Sequence, residues 1–175
     1  SESDLAAAEA ASARLGEPAP FMVRPHDHER DTLLDRRGYR IKDPVALYAI
    51  DTAGLTKSPV PPVSAFHVWP PLAIMTDLWA AGGIGAGRLD VMHRAAGPKT
   101  AILARHSDQP AGTAFVACHD GCAMIHAIEV APAQRRRGVG ANILRAAAHW
   151  SEREGAQFLS VAVTCANVPA NALYA

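Results

Sequence analysis

Residues 128–141 read Ile-Glu-Val-Ala-Pro-Ala-Gln-Arg-Arg-Arg-Gly-Val-Gly-Ala, and this stretch decides the fold. An apolar run, residues 123–130, stops at Pro132, a basic, glycine-bearing loop follows, and an alanine-rich helical segment starts at once. A strand, a tight loop and a helix N-terminus in that order make an anion site. The first-turn N–H groups have no intrahelical acceptor, and the helix dipole adds partial positive charge there. Gly138 and Gly140 remove Cβ atoms that would keep a phosphate from the backbone, and Arg135, Arg136 and Arg137 add charge around the same point. A phosphorylated ligand is expected here.

Spacing separates the kinds of phosphate loop. A dinucleotide fingerprint requires a third glycine, and Gly138-Val139-Gly140 is followed by Ala141, Asn142 and Ile143. A P-loop requires G-x-x-x-x-G-K-[ST], which occurs nowhere in the chain. What stands here is R-x-x-G-x-G, at Arg135, Gly138 and Gly140, preceded by Val130-x-Pro132. Downstream, Val139, Ile143, Leu144, Ala147 and Ala148 recur at helical spacing until Gly155. Residues 158–163, Phe-Leu-Ser-Val-Ala-Val, form a strand run, and Asn167, Ala170, Leu173 and Tyr174 then follow as N-x-x-A-x-x-L-Y.

These two motifs, with a helix and a strand between them, resemble the GNAT N-acetyltransferase superfamily over roughly residues 62–175. The resemblance implies an α/β (α+β) GNAT fold: a mixed central sheet with a splayed strand pair, flanked by helices. It implies acetyl-CoA as co-substrate and transfer of acetyl to a primary amine of a small molecule or peptide. It assigns the backbone of Ile128 and Val130 to the pantetheine amides, and Arg135, Arg136, Arg137, Gly138, Val139, Gly140 and Ala141 to the pyrophosphate. Asn167 is assigned to the pantetheine, and Tyr174 to the sulfur, where a phenol with a pKa of about 10 can protonate a departing thiolate.

The general base is open between two residues. His126 lies four residues before Val130, where the serotonin N-acetyltransferase branch carries a histidine that relays the amine proton, and an imidazole titrating near neutrality suits that task. Glu129 is the other candidate, since many members use a carboxylate on this strand. Strict alternation would place Met124, His126, Ile128 and Val130 on one face, with Ile125, Ala127 and Glu129 on the other.

Composition bounds the rest. The 175 residues carry 17 basic and 17 acidic side chains, so no global field steers the chain toward nucleic acid or an acidic membrane. No apolar run reaches the roughly 18 residues of a membrane span, no signal peptide is visible, and three cysteines do not make a secreted disulfide framework. A cytoplasmic protein is expected, acting on a small-molecule or peptide amine, as a monomer or a homodimer. No metal is expected. The sequence Cys118-His119-Asp120-Gly121-Cys122 crowds three ligands around a hairpin tip without zinc spacing, and His26-Asp27-His28 has no further ligands in view.

The proline-rich residues 58–62 suggest a division into an N-terminal accessory lobe, 1–57, and a transferase domain, 58–175. The lobe reads as a small α/β unit: a helix over 2–16, a strand over 21–24, a helix over 28–37 and a strand or strand pair over 39–50. Arg37-Gly38-Tyr39-Arg40-Ile41 resembles the stretch after the last GNAT helix, so the lobe could be a degenerate half-copy. The domain reads as a strand over 63–69, helices over 72–80 and 88–95, strands over 100–105 and 113–117, and a hairpin turned at Asp120-Gly121 into 122–130. The cluster Gly82-Gly83-Ile84-Gly85-Ala86-Gly87 follows a helix and reads as a flexible link, not a second phosphate loop. The sequence ends at Ala175, inside the last helix, whereas the family continues with a strand pair. Either strands from 21–24 and 40–50 stand in, or the sequence stops early. Two other classes compete with the enzyme: a non-catalytic acyl-CoA-binding or sensing module, and a nucleotide binder.

Overall fold

The computed structural model describes every residue of the chain except Leu15, Glu17 and Pro18. By packing, the chain divides at Pro44/Val45, ahead of the proline-rich stretch, into a unit over 1–44 and a unit over 45–175. The first contains two helices, α1 (Glu2–Arg14) and α2 (His28–Arg36). The helix expected over 2–16 includes Leu15, which lies outside the described residues. Residues 21–24, expected as a strand, form none, and no strand occurs among the described residues of this unit.

The second unit is built on six strands: β1 (Val45–Asp51), β2 (Ala65–Val68), β3 (Lys99–His106), β4 (Gln109–His119), β5 (Cys122–Val130) and β6 (Phe158–Thr164). They form one mixed sheet in the order β1-β6-β5-β4-β3-β2, parallel only between β5 and β6. The helices are α3 (Thr52–Thr56), α4 (Ala73–Ala81), α5 (Ala86–Arg94), α6 (Val139–Arg153) and α7 (Val168–Tyr174). β1 pairs antiparallel with β6, from Val45 opposite Thr164 to Asp51 opposite Phe158. A strand from the stretch 40–50 therefore does stand beyond β6, while 21–24 supplies none. Thr52 fastens the β1 end, its buried hydroxyl donating to the carbonyls of Ala156 and Gln157 at 3.0 and 3.1 Å.

Alternation of side chains gives the sheet two apolar faces. Ile102 and Ala104 of β3 and Ala114, Val116 and Cys118 of β4 pack with Val139, Ile143, Ala146 and Ala147 of α6. Ala101 of β3 and Phe115 of β4 turn the other way, onto Met75 and Trp79 of α4 and Met92 of α5. The stripe on α6 is a helix-period repeat that buries small residues close to the sheet. The Asp120-Gly121 turn opposes His119 to Cys122, Cys118 to Ala123 and Phe115 to His126, the register expected from the sequence. Cys118 points with Ala123 into the α6 core, so Cys122, its neighbour's neighbour across the tip, faces the opposite way. The sheet thus separates the two thiols of the hairpin.

Candidate active site

Strict alternation fails in the middle of β5. Thr113 opposes Glu129 while Phe115 opposes His126, so β5 spends one more residue than β4 over the same span. Ala127 carries the extra step at φ 51°. This is a β-bulge, and it reverses the parity of every later side chain. Ala123 and Ile125 pack toward α6, Ala127 packs toward α4, and Ile128 and Val130 pack toward α6 again. His126, paired with Phe115, and Glu129, paired with Thr113, therefore share the α4–α5 face. The expected grouping of His126 with Ile128 and Val130 is corrected by the bulge, which brings the two base candidates to one side.

The same bulge opens the sheet. β5 and β6 pair from Cys122/Phe158 to Ile125/Val161 and no further. Beyond that point residues 126–130 diverge from residues 162–164, leaving a slot whose far end is the loop before α6. A 3-10 turn, Pro132–Gln134, leads into Arg135, Arg136 (φ 62°) and Gly138 (φ 79°), the N-cap of α6. Gly138 suits that left-handed geometry, and a Cβ there would meet no atom within 4 Å. No side chain caps the helix. Asn142 is the first α6 residue whose N–H reaches a backbone acceptor, the Gly138 carbonyl at 3.0 Å. The N–H groups of Val139, Gly140 and Ala141 have no partner among the described residues. Unpaired donors at a helix N-terminus, with open space at Gly138, fit a diphosphate.

The guanidinium of Arg135 does not extend into that loop. Its Nε donates to the Val130 carbonyl at 3.0 Å, and its Nη2 pairs with Glu129 Oε1 at 3.2 Å. Arg136 and Arg137 are exposed and make no side-chain hydrogen bond or ion pair among the described residues. Glu129 is enclosed on its other side by the end of α4. A Cβ on Gly82 would lie 2.5 Å from its Oε2. The glycine link therefore has a packing reason at its first residue that its composition does not reveal.

On the α4–α5 face, burial and then the charge of Arg88 hold His126 below the ordinary imidazole pKa. The ring is accordingly neutral at pH 7, the form that accepts a proton. Trp69, Phe115 and His93 form an aromatic wall there, with Trp69 5.5 Å from Phe115 and 5.1 Å from His93 between ring centres. Sequence reading missed Trp79, whose indole donates to the Ala127 carbonyl at 2.7 Å. A tryptophan in a short apolar helix reads as core, and nothing local signals its bond to a strand 48 residues away.

On the β6 side of the slot, Asn167 caps α7, its Oδ1 accepting from the Ala170 N–H at 3.2 Å. Asn171 is the more heavily used amide: it donates to the Thr164 and Asn167 carbonyls and accepts from the Tyr48 hydroxyl at 3.0 Å. Tyr174 is half-buried, 5.9 Å from Tyr48 between ring centres, and burial raises its phenol above the ordinary value. Leu173 lies over Gly140, where a Cβ would come within 2.9 Å of its Cδ2. The end of α7 and the first turn of α6 are thus adjacent, while His126 and Glu129 lie on the opposite face of the sheet from the α6 core.

Residues 72–175 match the model of the acetyltransferase (GNAT) family. Solved structures similar to the chain include a GCN5-related N-acetyltransferase from Kribbella flavida, with TM-score 0.53 and 22% identity over 70% of this chain and 49% of that one. A functionally unknown conserved protein from Staphylococcus epidermidis gives TM-score 0.56 and 15% identity over 88% of this chain and 62% of that one. An IAA acetyltransferase from Bacillus cereus gives 0.51 and 18% over 74% and 73%. The chain thus spans about half of the first and under two thirds of the second. No curated protein sequence matches it. No helix among the described residues is long and apolar enough to cross a membrane. With the family model matching more than half of its length, over the segment that holds the bulge, the glycine-bearing loop before α6 and the N-x-x-A-x-x-L-Y helix, this chain belongs to the GNAT acetyltransferase family.

Proposed function

We propose that the chain is an acetyl-CoA-dependent N-acetyltransferase that passes acetyl directly to a primary amine of a small molecule or peptide. The transferase domain in this reading is the expected 58–175, extended to Val45 by β1. The observation that carries the reading is the divergence of β5 from β6 after Ile125/Val161, which leads from the His126–Glu129 face to the uncapped end of α6. The thioester supplies an activated acyl group and a thiolate leaving group.

The chain's own residues supply the rest. Backbone N–H groups of residues 139–141 hold the diphosphate, and the freed backbone of Ile128 and Val130 lies along the slot for the pantetheine amides. Neutral His126 removes the proton from the amine, with Glu129 on the same face to orient the ammonium before that transfer. Tyr174, kept protonated by burial, donates to the thiolate. Holding both reactants in one slot contributes much of the acceleration.

The test is a screen of amine acceptors with detection of released thiol, alongside calorimetry with coenzyme A. Binding with turnover on at least one amine is the expected result. Binding without any turnover would favour a sensing module instead, and a thermal shift with ATP or NAD but not coenzyme A would overturn the reading.

A further inference from the structure

Arg135 belongs by position to the diphosphate loop, yet its side chain is engaged elsewhere. It holds the Val130 carbonyl at 3.0 Å and Glu129 at 3.2 Å. The Val130 carbonyl is one of the strand groups assigned above to the pantetheine, so the guanidinium lies where a cofactor amide would bond. Glu129 is also unusually placed. Its side chain is 17% exposed and packs against Gly82, the C-cap of α4, where the carbonyl end of a helix disfavours an anion. Arg135, 59% exposed, is the cation that balances it.

Resting on the coenzyme A reading above, we propose that Arg135 is a positioning residue that exchanges partners: in the free protein it neutralises Glu129 and covers Val130, and on cofactor arrival it moves to the diphosphate. The exchange clears the Val130 carbonyl and leaves Glu129 as an unpaired carboxylate on the same face of the sheet as His126, ready for the ammonium of the acceptor. Arg135 is long and largely exposed, so its guanidinium can turn from the carboxylate to a diphosphate held at its own loop, which its planar fork matches.

The pair can be isolated by a double-mutant cycle on coenzyme A affinity, read by calorimetry with the full chain. Glu129→Gln removes the competitor, so coenzyme A binds about two- to fivefold more tightly. Arg135→Met weakens binding, and adding Glu129→Gln to it changes nothing further. Glu129→Ala removes the carboxylate without leaving an amide, and it should tighten binding as Glu129→Gln does, which guards against a Gln variant that fails to fold. An unchanged Kd in both Glu129→Gln and Glu129→Ala overturns the exchange. So does equal tightening by Glu129→Gln with and without Arg135, which would be plain charge repulsion. If wild-type protein does not bind coenzyme A at all, the reading under Proposed function falls and takes the exchange with it.

Discussion

The indole N–H of Trp79 meets the carbonyl of Ala127 at 2.7 Å, and this bond joins α4 to the positive-φ residue of the β5 bulge. Ala127 sits at φ 51°, a conformation that costs an alanine on the order of 1–2 kcal/mol. Its carbonyl would otherwise be a polar group buried beside Phe115 and Met75. A fully buried tryptophan supplies the donor and the packing together. The bulge is therefore held from the α4 face of the sheet, by the helix that also encloses Glu129.

Trp79→Phe keeps most of the ring volume and removes the donor. An unsatisfied buried carbonyl costs about 1–3 kcal/mol, and in a chain of this size each of those lowers Tm by about 2–4 °C. Thermal denaturation should show a loss of a few degrees or more, with a larger proportional fall in kcat/KM because the bulge positions both His126 and Glu129. A variant with wild-type Tm would mean that the bond contributes nothing to holding the bulge.

As the proposed base, His126 should give the pH profile its acidic limb. Burial first and Arg88 second lower its pKa below 6.5, and only the neutral ring can take the amine proton. Activity should therefore rise with pH through a midpoint below 6.5 and be near its plateau at pH 7. His126→Gln should lose that limb along with about 100-fold or more of kcat/KM. Survival of the same limb in the variant would assign it to another group, with Glu129 next in line.

Much of this arrangement was legible beforehand because it is local. Gly138 and Gly140 mark the start of α6, Asp120-Gly121 sets the β4–β5 register, and Asn167 to Tyr174 marks α7. The bulge was not legible. An alanine at positive φ leaves no trace in composition, and without it the period-2 rule assigns Ile128, Glu129 and Val130 to the wrong faces. Nor could the sequence show that Val45 would lie opposite Thr164, because strand pairing across such a separation depends on tertiary closure rather than pattern. The Arg135–Glu129 pair was missed because the sequence assigned Arg135 to the phosphate and carried no signal that its guanidinium would fold back onto the strand.

A separate acid sensitivity should come from His67 on β2. Burial, followed by the charges of Arg153 and His149, pushes its pKa down to about 4, and its Nδ1 is buried without a partner. The unfolded chain binds this proton near pH 6.5 and the folded chain only near 4, so the unfolded state holds more protons in between. Stability should fall as pH drops from about 6.5 to about 4. His67→Gln should flatten that part of the curve in urea melts taken at a series of pH values. An unchanged slope would place the proton uptake elsewhere.

Tyr174 and Tyr48 lie side by side, 5.9 Å apart, yet only one is free to move a proton. The Tyr48 hydroxyl is committed to Asn171 Oδ1 at 3.0 Å, and Asn171 in turn ties the start of α7 to the end of β6. The Tyr174 hydroxyl has no partner among the described residues, and burial keeps it protonated above the ordinary phenol range. Tyr174→Phe should lower kcat by about 100-fold while leaving the coenzyme A Kd within about twofold, since general-acid help is felt in the transition state and not in binding. Tyr48→Phe should do the reverse, costing about 1 kcal/mol of stability through the lost bond while kcat stays within a few-fold. Equal kcat in Tyr174→Phe and wild type would end the general-acid assignment and leave Tyr174 as a packing residue beside Tyr48.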